Sequence, residues 1–233
     1  MINVIYEDEQ ILVVYKPAGI ATQTARVGQQ DMVSEIKNYL AKKDNLKSEP
    51  YLGLIHRLDQ PVSGILVFAK TKAAAASLTH QVKNGQMQKY YYAIVLGCPE
   101  EENDILVDYL YRDGRSNMSY VVKKDFPEAK KAVLEYRRIK TLIALEENEE
   151  ASLLEIKLLT GRHHQIRVQL SNANMPILGD GKYGNIKSKD FSSNTACRNL
   201  ALCAHKLRFT HPITGEELTF ERDPEDEIFD SFI

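Results

Sequence analysis

The chain has 233 residues, of which 43% are hydrophobic and 27% charged, and its formal net charge is −2. This mixture is typical of a globular protein with a sizeable core and excludes a disordered or fibrous chain. No apolar run approaches the length of about 18 residues that indicates a membrane span. We therefore expect no membrane partner. The three cysteines are too few and too widely spaced for a disulfide framework, so we expect reduced thiols and a cytoplasmic location.

The first third of the chain predicts three strands and a helix. Residues 4–6 and 11–15 are rich in β-branched and aromatic side chains and flank a polar turn, which is typical of a strand pair. Apolar residues at helical spacing across 31–43 predict an amphipathic helix. An apolar run at 65–69 follows a cluster of turn residues and predicts a buried strand.

Strands dominate the rest of the predicted chain. Thr71 is a suitable N-cap for a helix that Asn84 and Gly85 would end, and another helix is expected at 163–173. The stretch 185–196 is predicted to be mobile. Further strands are predicted at 89–96, 119–123, 132–139, 151–159, 200–209 and 217–220. Together these elements predict an α+β fold: one domain over residues 1–233 with a large mixed, mostly antiparallel sheet flanked by helices and loops, and an active-site cleft across the sheet.

The sequence His56-Arg57-Leu58-Asp59 precedes the predicted strand at 65–69 and is the first candidate site. Arg57 and Asp59 are two residues apart, so in extended backbone both side chains face one side. A carboxylate on a loop against a rigid strand is a common position for a catalytic group. An ordinary surface ion pair would explain the same pattern.

Two further segments are rich in donors and glycine. Residues 160–167 (Thr-Gly-Arg-His-His-Gln-Ile-Arg) lie where a predicted strand becomes a helix, and a helix start with nearby arginines favours anions. Residues 176–184 contain three glycines around Asp180 and predict a loop. Lysines and arginines are frequent at 123–140, which predicts either a positive face or ordinary solvated surface.

The residue pattern excludes several reaction classes. His163 and His164 are adjacent and cannot both reach one zinc ion from a helix, so we expect no metal. No nucleophile elbow and no phosphate-binding glycine loop is present. A glycosidase would need a second carboxylate beside Asp59, for which Asp180 is only a weak candidate.

The motifs, taken in order, resemble those of the RluA family of RNA pseudouridine synthases. His56 to Asp59 with Ser63-Gly64 is similar to the HRLDxxTSG signature of that family. The later motifs follow in the family's order, and the match covers about residues 5–220. These motifs are Lys89-x-Tyr91-x-Ala93, residues 160–167, Gly179-Asp180 with Tyr183-Gly184, and His205-x-Leu207 with His211-Pro212. Val62, His163 and Gln169 depart from the family pattern, but none of them replaces a matched Asp, Tyr or Arg.

The resemblance implies an isomerase that converts uridine in rRNA or tRNA to pseudouridine without a cofactor. It implies that Asp59 is the essential carboxylate, that Arg167 pairs with it (with Arg162 as the alternative), and that Tyr91 stacks on the base. Attack on C1′, attack on C6 and removal of a ribose proton are all open to the carboxylate. A non-catalytic RNA-binding protein and a glycosidase acting on a free nucleoside are the alternatives.

The resemblance also implies how RNA is held. Arg57 is expected to fill the stack that the flipped base leaves, and Ile166 and Leu207 are expected to line the base pocket. The other expected RNA contacts are His56, Arg162, His164, Gln165, Lys130 and Lys131. We expect a catalytic domain without an S4-type RNA-binding domain, acting as a monomer on an RNA stem-loop.

Overall fold

The computed structural model describes residues 2–24, 28–144, 149–195 and 197–233. The helices in these residues are α1 (Met32–Lys43), α2 (Lys72–Lys83), α3 (Gln165–Asn172) and α4 (Ile186–Asn194), with a turn of 3₁₀ helix at Glu227–Phe229. The strands are β1 (Asn3–Glu7), β2 (Ile11–Lys16), β3 (Gly53–Leu54), β4 (Ser63–Ala69), β5 (Gln88–Leu96), β6 (Asn103–Asp113), β7 (Met118–Val122), β8 (Lys130–Ala144), β9 (Glu149–Leu158), β10 (Leu202–Thr210) and β11 (Glu217–Glu221).

The chain divides into two compact units. The first unit comprises residues 1–88 and 204–222, and the second comprises residues 89–203 and 223–233. The α+β class with a mostly antiparallel sheet is confirmed. The antiparallel pairs are β1–β2, β2–β4, β3–β4, β5–β9, β6–β7, β6–β8, β8–β9 and β10–β11. The assignment of residues 1–233 to one catalytic domain stays a prediction.

The first unit is built on a sheet with a strongly apolar centre. Strands β1, β2, β4 and β10 are neighbours in that order, β3 pairs with β4, and β11 pairs with β10. Every residue of β2 and β4 is buried, which explains why both strands are continuous apolar runs and do not alternate. Ala74 and Leu78 of α2 share a core with Ile11, Val67 and Phe209.

Side-chain caps explain where the first two helices begin. The carboxylate of Asp31 accepts a hydrogen bond from the Ser34 N–H, and the hydroxyl of Thr71 accepts one from the Ala74 N–H. Both interactions satisfy a backbone donor that has no partner within its helix. The helices predicted at 31–43 and after Thr71 are therefore confirmed.

The second unit holds an antiparallel sheet in the order β5, β9, β8, β6, β7. In β8, Ala132, Leu134 and Tyr136 are buried, and the residues between them are more exposed, which is the two-residue period of a strand with one covered face. Val168 of α3 packs against Ala132 and Leu110, so α3 lies on that covered face.

Two of the longer elements differ from the sequence prediction. Strand β6 was not predicted, because Asp104, Asp108 and Arg112 interrupt its apolar residues and Ile105 is 55% exposed. The prediction of a mobile stretch at 185–196 was wrong, since α4 occupies most of it and begins at an Asn185 cap. Residue 196 of that stretch lies outside the described residues.

Gly64 is the position in β4 where a side chain has no room. Its φ is +126°, and a Cβ there would lie 2.4 Å from the backbone oxygen of Ala204. We expect Gly64→Ala to lower the free energy of unfolding by more than about 2 kcal/mol, because a strained backbone costs about 1–3 kcal/mol and overpacking a similar amount. Denaturant unfolding measures the loss.

The matched control is Gly85→Ala, because Gly85 also has a positive φ (+69°) but nothing within 4 Å of its Cβ position. This variant should lose only the backbone contribution. Equal losses at the two glycines would contradict the close approach of β4 to β10.

Candidate functional site

The loop that carries Asp59 is anchored on its N-terminal side by Thr22. The Thr22 hydroxyl donates to the Leu58 carbonyl (2.8 Å) and accepts from the Leu58 N–H (3.1 Å), and this pair of hydrogen bonds is buried. A turn follows, in which the Val62 N–H donates to the Asp59 carbonyl (3.0 Å). Asp59 is therefore carried by a backbone with fixed neighbours.

Lys16 anchors the same loop on its C-terminal side. Its side chain is fully buried at the end of β2, and its ammonium donates to the carbonyls of Pro17 (3.0 Å), Ile20 (2.7 Å) and Gln60 (3.1 Å). A buried lysine is rare unless it has partners of this kind. The sequence analysis did not identify Lys16 as an anchor of this loop. A lysine directly after a continuous apolar run is the signal that could have identified it.

Side chains alternate along this loop as the sequence predicts. Leu58 is buried, whereas Asp59 is half-buried and Arg57 is exposed. His56 has a contact inside the first unit, because its Nε2 accepts from the Val67 N–H on β4 (3.4 Å). Arg57 is thus the residue of the motif best placed to meet a ligand from solvent.

In the second unit, Arg167 forms a buried ion pair with Asp180. The Nε and one terminal nitrogen of Arg167 each donate to a different oxygen of Asp180, both at 2.7 Å, and the two side chains are only 5% and 1% exposed. Burial alone would raise the pKa of Asp180, but the hydrogen bonds and the charge of Arg167 hold it below its usual range. A carboxylate held ionised is a poor general acid, which argues against Asp180 as a glycosidase acid.

Asp180 also fixes its own loop. Its Oδ1 accepts from the backbone N–H groups of Lys182 (2.9 Å) and Tyr183 (3.0 Å), so the carboxylate receives four donors in all. Two of the five N–H groups of a guanidinium are used in this pair. The pairing of Arg167 with Asp59 that the family resemblance implies stays a prediction.

Tyr183 holds Arg167 and His164 from the same loop. Its ring lies 5.1 Å from the guanidinium carbon of Arg167, a cation–π contact. Its hydroxyl is 2.7 Å from Nδ1 of His164 and accepts from the Ser119 N–H (2.8 Å). His163 stacks on His164 with ring centroids 3.7 Å apart.

The environment keeps His164 neutral. Burial, and then the positive charges of Arg167 and Lys182, lower the pKa of His164 to about 4, with Asp180 opposing and Arg112 adding to the effect. The backbone of His164 is left-handed (φ 53°) where α3 begins. A buried neutral imidazole bonded to a tyrosine is better suited to support α3 than to contact RNA.

Gln165 has an internal role as well. Its amide oxygen accepts from the Thr160 hydroxyl (2.8 Å) and the Arg162 N–H (2.9 Å), and its amide nitrogen donates to the Val133 carbonyl (3.1 Å) and to Gln169 (2.9 Å). The side chain is buried, and these four hydrogen bonds use the full capacity of an amide. The internal contacts of Gln165 and His164 give no support to their predicted contacts with RNA.

The residues predicted around the base lie in different surroundings. Tyr91 is buried on β5, on the sheet face opposite to Tyr90 and Tyr92, and pairs with Ile156 of β9. Ile166 is buried in the first turn of α3. Leu207 lies in the hydrophobic core of the first unit, which makes it a core residue and gives no support to its predicted place on a pocket wall.

Much of the basic stretch 123–140 is already engaged. Arg137 pairs with Glu155 across the sheet (3.0 Å), and Arg138 donates to the Pro99 carbonyl (2.7 Å). These contacts favour the interpretation of that part as structural surface. The residues that remain exposed among those predicted to bind RNA in the second unit are Arg162, Lys130 and Lys131.

In the described ranges, no group of three or more His, Cys, Asp or Glu side chains is placed to hold a metal ion. None of the helices there is long and apolar enough to cross a bilayer.

Removal of the charge on Asp180 should be costly for folding. We expect Asp180→Asn to lower the free energy of unfolding by about 3–5 kcal/mol, because it leaves the Arg167 charge buried beside a neutral amide. Urea unfolding measures the change, with Asp190→Asn on the exposed side of α4 as the control. A loss below about 1 kcal/mol would contradict the importance of this pair.

The His164 environment predicts a specific pH dependence. In the unfolded chain the pKa of His164 returns to 6.5, so between pH 6.5 and about 4 the unfolded state binds more protons than the folded state. The contribution of His164 to stability is complete above pH 6.5 and is lost as the pH falls to about 4. We expect His164→Asn, which tolerates a left-handed backbone, to destabilise the protein more at neutral pH than near pH 4. A pH-independent difference in unfolding free energy would contradict this prediction.

Comparison with known proteins covers nearly the whole chain. A family model described as RNA pseudouridylate synthase matches residues 10–172. The chain is 29% identical over 227 residues to "tRNA pseudouridine synthase C" of Pectobacterium carotovorum, covering 95% of this chain and 58% of the relative. It is 34% identical over 231 residues to "Ribosomal large subunit pseudouridine synthase D" of Zymomonas mobilis, covering 97% and 70%. The chain thus spans 58% of the length of the first relative and 70% of the length of the second.

A solved structure supports the fold. "Human RNA Pseudouridylate Synthase Domain Containing 1" superposes with a TM-score of 0.77 at 23% identity, over 99% of this chain and 87% of that chain. The family expected from the sequence motifs is confirmed by the family model and by the similarity to the Zymomonas protein. This chain belongs to the RNA pseudouridylate synthase family.

Proposed function

We propose that this protein is an RNA pseudouridine synthase, an isomerase that converts specific uridines of rRNA or tRNA to pseudouridine. The observation that carries the proposal is the family match over residues 10–172, a range that includes Asp59, Tyr91 and Arg167. The relatives named above act, by their names, on tRNA and on large-subunit rRNA. Either RNA is a candidate substrate for this chain.

In the proposed reaction, the N1–C1′ bond of the uridine breaks, the base turns, and a bond forms between C5 and C1′. Asp59 is the essential carboxylate of this step, as nucleophile at C1′ or C6 or as the base that removes a ribose proton. The hydrogen bonds of Thr22 and Lys16 on either side of it support this role, since they hold the loop in one conformation.

Arg167 and Tyr91 complete the proposed catalytic set. Arg167 supplies a fixed positive charge to the site, and its bidentate contact with Asp180 supports this role by limiting the orientations of the guanidinium. Tyr91 stacks on the target base and relays the proton released from C5. Its burial on β5, opposite Ile156 of β9, supports a rigid placement.

RNA is held, in this proposal, by exposed cations. The target base must leave its stack, which costs a few kcal/mol, and the planar guanidinium of Arg57 is suited to fill the space. Arg162, Lys130 and Lys131 contact phosphates. We further propose that the enzyme works as a cytoplasmic monomer without a metal or other cofactor.

Substitution of Asp59 tests the proposal directly. We expect the wild-type chain to release tritium from RNA labelled at C5 of uridine, and Asp59→Asn to reduce this rate by at least about 10²–10⁴-fold, because the amide cannot act as nucleophile or base. Asp44→Asn at the exposed end of α1 is the control and should keep full activity.

The same assay separates the alternatives. Release of free uracil in place of pseudouridine would indicate a glycosidase. RNA binding with no change in any uridine would indicate a non-catalytic binding protein. Either result would overturn the proposed function.

A further inference from the structure

Lys89 is a partly buried cation that the proposed mechanism does not use. It lies on β5, two residues before Tyr91, so the two side chains point to the same face of the sheet. Their α-carbons are about 7 Å apart along a strand that rises about 3.3 Å per residue. Lys89 is therefore close to the residue proposed to contact the target base.

The ammonium of Lys89 lies over Gly161. Its Nζ is 3.7 Å from the position that a Cβ on Gly161 would occupy, and Gly161 itself is exposed. Because glycine has no side chain, residue 161 places no Cβ against the ammonium.

Three further cations adjoin this point. Arg162 follows Gly161, and its Nε donates to the Lys131 carbonyl (2.9 Å), which ties the guanidinium to the start of β8. Lys130 and Lys131, the first two residues of β8, are both exposed. We call Lys89, Arg162, Lys131 and Lys130 the basic cluster.

The basic cluster lacks a counter-charge. In the described part of the chain, no carboxylate forms an ion pair or hydrogen bond with any of its four members. Burial lowers the pKa of Lys89, and no neighbouring anion opposes this effect. An ammonium that has lost water without gaining a partner is unfavourable, so an incoming anion would restore lost interactions.

We propose that Lys89, together with Arg162, binds a backbone phosphate of the RNA at or next to the reacting nucleotide. This inference rests on the proposed function, since RNA is the substrate that brings a phosphate close to Tyr91. A lysine supplies a point charge to a phosphate, and an arginine supplies paired N–H donors with fixed geometry.

The first experiment measures RNA affinity against salt concentration, with a uridine-containing RNA stem-loop as the probe. We expect Lys89→Met to weaken binding roughly 10-fold and to reduce the slope of log K against log salt by about 0.7–0.9, as expected for one lost phosphate contact. Lys89→Arg should keep the slope, and Lys189→Met, an exposed lysine of α4, should match the wild type. An unchanged slope for a folded Lys89→Met protein would overturn the inference.

The second experiment locates the phosphate. Single neutral methylphosphonate linkages are placed in turn around the target uridine. At one linkage the substitution should weaken binding by the wild type but cause no further loss in Lys89→Met, because each change removes one side of the same contact. Additive losses at every linkage would contradict the inference.

The outcomes distinguish this inference from the proposed function. If the wild type forms pseudouridine and Lys89→Met behaves like it, only the phosphate site fails. If the wild type binds RNA with the predicted slope change but leaves every uridine unaltered, the proposed function fails and the phosphate site stands. A wild-type chain that neither binds nor modifies RNA overturns both.

Discussion

The buried ion pair between Arg167 and Asp180 is the constraint on which the second unit depends. Two charges removed from water are stabilised only if their remaining hydrogen-bonding groups are also satisfied. Asp180 meets this condition by accepting from the guanidinium of Arg167 and from two backbone N–H groups of its own loop. Helix α3 and the loop from Gly179 to Gly184 are consequently fixed to each other, and Tyr183 and His164 take their positions from that junction.

In the first unit, a buried charge is stabilised by backbone carbonyls and not by an opposite charge. Lys16 is as buried as Asp180, but its ammonium donates to three backbone carbonyls in the segments that flank it and that follow Asp59. Carbonyls carry no net charge, so this arrangement fixes backbone without placing a second carboxylate near Asp59. Each unit thus uses one buried charge to hold the loop or helix that carries a proposed catalytic residue.

Local signals made most of the fold predictable. Asp31 and Thr71 identify their helices because a cap depends on residues only three positions away. Strand β6 escaped prediction because Asp104, Asp108 and Arg112 interrupt its apolar residues, and its pairing with β8 comes from residues far along the chain. The family motifs include Asp59, Arg167 and Asp180 but do not show which side chains hold them. The pairing of Asp180 with Arg167 and the anchoring of the Asp59 loop by Thr22 and Lys16 depend on the fold, which sequence spacing does not reveal.

Lys16, which is fully buried, and Lys89, which is partly buried, differ in whether their ammonium groups have partners in the protein. Lys16 has three carbonyl acceptors, so its burial is compensated within the protein and its role is to hold backbone. Burial lowers the pKa of Lys89, and no acceptor for its ammonium is found in the described ranges. The ammonium of Lys89 has lost part of its hydration without gaining an acceptor in the described residues, so a group outside the chain would restore these interactions. For a family that acts on a polyanion, a phosphate is the partner that matches the charge, the exposure at Gly161 and the closeness to Tyr91.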